Sequence, residues 1–179
     1  MNNLNNIEYL KQFSTLRNLF PNETSDFTPY LVNTNIVQKI INSLCIPEYG
    51  NGVSLSLWRR EVQVGSSRID AIYHDKSNPK IPPIIIENQY GLTDNKHLGQ
   101  IIVYAKKTKI KNVLWIAENI APEHLGIASV LKDINIYLAT ISISNDSIYI
   151  TTYKKDGRFN KTIKIPKDPI IKKKENSSN

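Results

Sequence analysis

The sequence contains few of the residues and segments on which disulfide-bonded, zinc-binding and membrane-spanning proteins depend. Its single cysteine, Cys45, excludes an internal disulfide and a cysteine-rich zinc site. The three histidines, at positions 74, 97 and 124, are too widely spaced for a local metal-binding motif. No apolar run approaches the roughly 20 residues that cross a bilayer, and residues 1–8 lack the apolar core of a secretory signal. We therefore expect a soluble, cytoplasmic protein with no membrane partner.

Several common catalytic motifs are also missing. The chain has no Walker A lysine motif, no glycine-rich dinucleotide loop and no G-x-S-x-G nucleophile elbow. These absences argue against an ATPase, a dehydrogenase and an α/β-hydrolase.

Composition and charge predict one globular domain with a basic extension. The 179 residues are 40% hydrophobic and 22% charged, as in ordinary globular proteins. The net charge of +7 is concentrated near the end, where residues 154–179 contain nine Lys and Arg against three Asp and Glu. We predict a domain over residues 1–153, including N-terminal helices, and a basic tail over residues 154–179. Such a tail can bind phosphate backbone or anionic lipid, or can simply be solvated.

Apolar residues at helical spacing predict two helices in the first third of the chain. The first is expected over residues 7–20 and ends before Pro21. The second begins with Thr28 as the N-cap, Pro29 at the first helical position and Phe27 as a hydrophobic staple. Its apolar stripe consists of Ile36, Val37, Ile40, Ile41 and Leu44.

The hydrophobic period then changes to two, which is typical of strands. We predict strands over residues 53–64, 68–73, 84–89, 113–117, 136–143 and 148–153, with one more around Ile163. Between them we expect a helix that begins at Thr93 or Asp94 and another over residues 122–131. The alternation predicts an α/β domain with a central mixed β-sheet flanked by helices. Trp58 and Trp115 are expected in its core.

Two carboxylates interrupt the apolar strands. Asp70 lies inside one strand, and Glu87 follows three isoleucines in the next, where a lone carboxylate is costly. Alternation places Glu87 and Gln89 on one face, and pairing of the two strands would bring Asp70 beside them. Two carboxylates with room for water and a phosphate oxygen form a Mg²⁺ site, and such a cation can activate water at a phosphodiester.

A purely structural explanation is equally open at this point. Asp70 could pair with Arg68 or Arg60, and Glu87 could pair with a nearby lysine. The two carboxylates alone do not decide between an ion pair and a metal site.

The polar residues resemble the signature of the PD-(D/E)XK nuclease superfamily, an aspartate followed by a loop and a hydrophobic strand that ends in Glu-x-Lys. Here the matching residues are Asp70 and Glu87-Asn88-Gln89, a Glu-x-Gln version found in some members. The next helix carries Gln100-x-x-x-Tyr104, which is similar to the Gln-x-x-x-Tyr motif of RecB-like nucleases.

A longer segment, IIIENQYGLTDNKHLGQIIVYA, resembles the DUF4268-like proteins of bacteria and archaea, which read IENQL–TDH–HLGQLLTYA. Residues 23–31 are similar to their E–DFTPWL segment, and Arg60-Glu61-Val62 to the strand before their aspartate. Residues 115–118 with Glu123-His124 are similar to their WIA–EH segment. The resemblance covers roughly residues 16–140.

This resemblance implies a restriction-endonuclease-like core and a metal-dependent nuclease, a hydrolase of phosphodiester bonds, with DNA favoured over RNA. It implies that Asp70 and Glu87 hold Mg²⁺ or Mn²⁺ and that Gln89 positions the attacking water or the phosphate. Gln100 and Tyr104 would support these groups.

Superfamily members often place another acidic residue near the metal. This implies Glu23 as a further metal ligand, with Glu61 as a weaker candidate. The lysine-rich tail, with Lys172, Lys173 and Lys174, would add affinity for nucleic acid that declines with salt.

Two positions depart from the pattern. Gln89 replaces the lysine that would bring a positive charge near the phosphate, and glutamine can only donate or accept hydrogen bonds there. Lys96, near the start of the next helix, could supply that charge. The relatives usually have histidine at the position of Asn95.

Other functions therefore stay open. The protein could be a non-catalytic nucleic-acid-binding or assembly module that kept the fold and lost the chemistry with the lysine. It could also be a partner-binding protein of a defence system or mobile element, with the basic tail docked on an acidic protein. Many nucleases of this superfamily dimerise to cut both strands, so a homodimer is expected by analogy only.

Overall fold

In the part of the chain that the structure describes, seven strands form one sheet, and their spatial order is their order along the chain. The computed structural model describes residues 16–50, 53–144, 147–167 and 169–171. β4 runs parallel to β3 and to β5, and the other neighbouring pairs are antiparallel. The sheet is therefore mixed, as the sequence predicts. The strands are β1 (Leu55–Val64), β2 (Ser67–Asp75), β3 (Ile84–Leu92), β4 (Asn112–Asn119), β5 (Asn135–Ile143), β6 (Ser147–Tyr153) and β7 (Phe159–Pro166).

Short helices accompany the sheet, which makes this an α/β fold. They are α1 (Leu16–Leu19), α2 (Thr28–Asn33), α3 (Ile36–Leu44), α4 (Asn95–Thr108) and α5 (Ile127–Val130). A π-helical turn, Glu23–Phe27, precedes α2, and 3₁₀ turns occupy Pro47–Tyr49 and Pro122–His124. Within the described ranges, no helix is long and apolar enough to span a membrane.

The two faces of the sheet carry separate hydrophobic cores. On one face α1–α3 pack against the strands, and Ile41 shares this core with Ile86. On the other face α4 packs, and its Tyr104 shares a core with Ile85 and Trp115. Because successive residues of β3 point into different cores, this strand is apolar at every position from Ile84 to Ile86, which is typical of a strand covered on both faces.

The start of the second predicted helix differs from expectation. Asn22 caps the π-helical turn by accepting a hydrogen bond from the Ser25 N–H at 2.9 Å. This turn continues directly into α2, so the Thr28 N–H donates to the Glu23 carbonyl and needs no cap. Thr28 is instead buried, and its Oγ1 accepts a hydrogen bond from Asn88 Nδ2. The stripe expected on the helix is found in α3, where Ile36, Val37, Ile40 and Ile41 are buried.

Two other local predictions are wrong. The helix expected over residues 122–131 is broken at Gly126, whose φ of 79° is left-handed and where a Cβ would lie 3.2 Å from the Asp156 carbonyl oxygen. Trp58 is 47% exposed rather than in the core. It occupies a β-bulge in β1, the edge strand, between residues that pair in shifted register.

The sheet continues past residue 153. β7 contains the strand expected around Ile163 and pairs with β6 from Ser147 to Tyr153. Ile163 and Ile165 pack against the larger core, and Ile171 is buried in it. Residues 7–15 of the first predicted helix, and Lys172, Lys173 and Lys174, lie outside the described residues.

A truncation tests where the folded domain ends. A chain that stops after Tyr153 would lose β7 and expose the hydrogen-bonding edge of β6, so its melting temperature should fall by more than about 5 °C. A chain that stops after Ile171 is the control and should melt like the full protein in a thermal scan followed by circular dichroism. Equal melting temperatures for all three chains would contradict a structural role for β7.

Candidate active site

The candidate site lies where β2 and β3 separate. Ala71 pairs with Ile86, so the next residues along, Asp70 and Glu87, face each other across the two strands. Beyond this point the described residues of β2 and β3 no longer pair with each other. Instead, Asp70 Oδ2 accepts the Asn88 N–H at 2.7 Å. The sequence expectation that Asp70 and Glu87 lie on neighbouring paired strands agrees with this register.

Two further carboxylates join the first two. Glu23, in the π-helical turn, accepts the Tyr90 N–H through Oε2 at 2.9 Å. Glu61 of β1 lies opposite Asp70, because the residues on either side of it pair with the residues on either side of Asp70. We call Glu23, Glu61, Asp70 and Glu87 the carboxylate cluster. Like charges directly opposite each other destabilise a sheet. The carboxylates of Glu61 and Glu87 on either side of Asp70 therefore lower the stability of the protein, and packing alone does not explain why they are there.

The backbone at Glu61 is also unusual. Its φ is 55°, a left-handed conformation that non-glycine residues rarely adopt inside a strand. Such conformations are often retained where a side chain must be aimed at a functional site. Here the conformation accompanies the placement of the Glu61 carboxylate beside Asp70.

Burial raises the pKa values of Glu23, Asp70 and Glu87, and repulsion from neighbouring carboxylates adds to the shift of the last two. Burial raises the pKa of Glu87, and the charges of Asp70, Glu23 and Glu61 raise it further. Burial also raises the pKa of Asp70, with Glu23 and Glu61 adding to it against the bond from the Asn88 N–H. Burial raises the pKa of Glu23. The cluster therefore favours binding of protons or another cation.

Glu87, like Glu61, has a buried oxygen that forms no hydrogen bond within the described residues. Glu87 is only 4% exposed, and its Oε2 is the oxygen without a hydrogen-bond partner among the described residues. Carboxylate oxygens are the ligands that Mg²⁺, Mn²⁺ and Ca²⁺ prefer. Across the described ranges no three His, Cys, Asp or Glu side chains converge closely enough to enclose a metal ion. The residues therefore fit a cation held by one or two carboxylates and completed by water, which is how proteins commonly bind Mg²⁺.

Gln89 has a different environment from the one expected. Its Oε1 accepts the Trp115 indole N–H at 3.1 Å, and its Nε2 donates to the Leu92 carbonyl and to Asp94 Oδ2, each at 2.7 Å. Asp94 is the N-cap of α4, so Gln89 connects β3, β4 and the start of that helix. Lysine has no acceptor for the indole N–H. The hydrogen bonds of this network account for glutamine at this position.

Gln100 and Tyr104 reach the start of β2 rather than the carboxylates. Gln100 Nε2 donates to Ser67 Oγ at 3.2 Å, and the Tyr104 hydroxyl donates to the Arg68 carbonyl at 2.9 Å. Tyr104 is fully buried, and burial followed by the charges of Glu87 and Asp70 raises its pKa. Both side chains therefore position the strand that carries Asp70.

Two charged residues near the cluster were not assigned to the site from the sequence. Arg68, considered there only as a partner of Asp70, forms an ion pair with Glu61 through Nε. His97 Nδ1 lies 2.9 Å from Asp94 Oδ1, and its charge lowers the pKa of Glu23. The sequence feature that could have identified Arg68 as a site residue was its position two residues before Asp70, on the same strand. Lys96 lies exposed at the start of α4.

A buried histidine fixes the loop after β3. His124 Nδ1 lies 2.8 Å from Thr93 Oγ1, and Nε2 lies 3.1 Å from Asn95 Oδ1. Because an amide oxygen only accepts, Nε2 donates and a neutral ring accepts from Thr93 at Nδ1. Asn95 therefore anchors His124 beside Trp115.

No protein-family model matches the chain, and no curated protein is significantly similar to it. Among solved structures, Pyrococcus furiosus SfsA in complex with Ca²⁺ is similar with a TM-score of 0.36 and 18% identity. The match covers 62% of this chain and 60% of that chain. A similarity of this size carries no argument about function.

Gln89→Lys tests the network around Gln89. The change removes the acceptor of the Trp115 indole N–H and places the charged ammonium group of lysine at a buried position. The free energy of unfolding should therefore fall by at least about 2 kcal/mol. Urea denaturation measures this, with the exposed Gln63→Lys as the control, which should change it by less than about 0.5 kcal/mol. A Gln89→Lys protein as stable as the wild type would contradict these contacts.

The raised pKa values predict how stability depends on pH without metal. Above the ordinary carboxyl pKa, the folded protein retains more protons than the unfolded chain, so the free energy of unfolding falls as pH rises. In EDTA it should fall as the pH rises above about 5, and less steeply for Glu87→Gln. Glu123→Gln, on the exposed surface, should keep the wild-type slope. Identical slopes for all three proteins would show that Glu87 is not the group responsible.

Proposed function

We propose that the protein is a metal-dependent nuclease with a restriction-endonuclease-like core, which hydrolyses phosphodiester bonds of nucleic acid, with DNA as the favoured substrate. The observation that carries this proposal is the buried Glu87 carboxyl group, with an unpartnered oxygen, facing Asp70. Its support from the sequence is the resemblance of Asp70, Glu87-Asn88-Gln89 and Gln100-x-x-x-Tyr104 to nuclease motifs.

Asp70 and Glu87 would hold a Mg²⁺ or Mn²⁺ ion, with Glu23 or Glu61 beside it. When bound, the cation supplies charge stabilisation and lowers the pKa of water. Hydrolysis joins the oxygen of a water molecule to phosphorus and breaks one phosphorus–ester oxygen bond. The water loses one proton to a carboxylate of the cluster, and the departing oxygen gains one from solvent. The chain's own part is to hold these carboxylates close together at the end of the β2–β3 ladder.

A structural role explains only half of the cluster. Asp70 and Glu23 each accept a backbone N–H that has lost its ladder partner. Glu87 makes no such compensation with Oε2, and Glu61 adopts a strained backbone next to two other acids. A group that is costly to the fold in this way is often retained for function.

The charge of the chain favours a polyanionic substrate. The net charge is +7 although the candidate site itself is acidic, so the positive charge lies elsewhere on the chain. The lysine-rich end would add affinity that is independent of base sequence and falls steeply with salt. The homodimer, and a place in a defence system or mobile element, stay predictions.

One observation favours a second candidate, a nucleic-acid-binding module without turnover. Gln89, which stands where the nuclease signature has lysine, is fully occupied by Trp115, Leu92 and Asp94. A site whose lysine was replaced by a structural amide could have kept binding and lost hydrolysis.

Cleavage of DNA distinguishes the two candidates. With Mg²⁺ or Mn²⁺ the purified protein should nick or cut plasmid and linear DNA, and Asp70→Asn and Glu87→Gln should each lower the rate at least about 100-fold. Glu123→Gln is the matched control on the exposed surface and should cut at the wild-type rate.

The other outcomes are equally informative. Salt-sensitive DNA binding without metal-dependent cleavage would support the binding module. Cleavage that persists in both Asp70→Asn and Glu87→Gln would exclude the carboxylate cluster as the site. No binding at low salt would favour a protein partner for the basic end.

A further inference from the structure

We propose that Arg68 is the catalytic cation of this site, and that its guanidinium group contacts the phosphate that is cleaved. The inference rests on the proposed function and names the residue that takes the place of the missing lysine. Four observations on the cluster and its surroundings support it.

The first is the charge of the cluster. Glu23 and Glu61 act electrostatically on both Asp70 and Glu87, and the four carboxylates together would repel a phosphodiester. One divalent cation neutralises only two of these four charges. A negatively charged substrate therefore requires a further positive group at the same place.

The second is the position of Arg68. It pairs with Glu61 through Nε, and it is among the charges that act on Asp70. Its side chain is 48% exposed, so the guanidinium group is accessible from solvent. A guanidinium has five donors, and one ion pair leaves several of them for phosphate oxygens, which match its planar geometry.

The third is the anchoring of the Arg68 backbone. The buried Tyr104 donates to the Arg68 carbonyl, and Gln100 donates to the neighbouring Ser67. The Gln-x-x-x-Tyr motif of α4 thus acts as a pair of positioning residues for the start of β2. The motif therefore contributes to the site by positioning Arg68, although neither of its side chains hydrogen-bonds to the carboxylates within the described residues.

The fourth is the position of the other candidates for this charge. Gln89 is neutral and its amide is occupied. Lys96 is exposed at the start of α4. His97 is held by Asp94 and acts on Glu23. Arg17 also acts on Glu23, but its guanidinium group lies over the Tyr90 ring. Among the described residues, Arg68 is the cation that forms an ion pair with a member of the cluster.

An ordinary cross-strand ion pair is the competing explanation, because Arg68 and Glu61 lie diagonally on a hairpin. The two explanations differ in what a charge change does. If the pair only stabilises the hairpin, Arg68→Gln and Glu61→Gln lower the melting temperature alike and leave turnover unchanged.

The experiment measures single-turnover cleavage of a DNA duplex with saturating Mn²⁺, together with Mn²⁺ affinity by electron paramagnetic resonance. Arg68→Gln should lower the cleavage rate at least about 100-fold with Mn²⁺ affinity changed less than about threefold. Arg68→Lys should recover part of the rate. Lys76→Gln, which removes an exposed cation just after the far end of β2, is the control and should cut like the wild type.

Each remaining outcome overturns the proposal. Cleavage by Arg68→Gln within about threefold of the wild-type rate would show that the charge is not needed. A loss of Mn²⁺ affinity parallel to the loss of rate would make Arg68 a residue that only maintains the metal site. Absence of cleavage by the wild type would remove the proposed function itself, and the Arg68 role with it.

Discussion

The candidate site depends on one energetically unfavourable interaction, the burial of the Glu87 carboxyl group against Asp70 where β2 and β3 separate. Most buried polar groups in proteins are hydrogen-bonded, yet Glu87 Oε2 has no partner in the described part of the chain. Neighbouring carboxylates make the ionised form still less favourable. The surrounding fold must therefore hold this group in place, and much of the polar structure around it can be understood as doing so. Strands covered on both faces supply the rigidity, because β3 cannot move without disturbing two hydrophobic cores.

The polar residues around the cluster divide into those that hold it and those that can act on a substrate. Gln89 fixes β3 to β4 and to the start of α4, and Tyr104 fixes the strand that carries Asp70. These contacts are buried and leave no donor for a substrate. Arg68 is half-exposed, and Glu87 Oε2 has no hydrogen-bond partner within the described ranges, so both groups keep capacity to bind. The motifs that resemble nuclease signatures thus combine residues whose polar groups are used within the fold with residues whose polar groups are not, although both types stand out equally in the sequence.

Much of the fold followed from hydrophobic period, and the failures have local causes. The strands were predicted because alternation and buried isoleucine runs are strong signals, and the start of α4 because Asp94 is a good N-cap. The cap at Thr28 was wrong because a π-helical turn before it already satisfied the backbone. Trp58 was wrong because a bulge on an edge strand turns a large apolar residue to solvent, and no periodic pattern shows a bulge.

The sequence alone determined the order of the elements and the identity of two acids in apolar strands, because period and burial cost are properties of short segments. Tertiary structure decided which groups meet. Glu61 joins Asp70 only through the register of β1 with β2, and Glu23 reaches β3 across 67 residues of chain. Gln89 joins β3 to β4 because Trp115, on the neighbouring parallel strand, lies within hydrogen-bonding distance of its amide. Such contacts depend on strand register and chain crossing, and these are set by the packing of the whole sheet rather than by any local pattern.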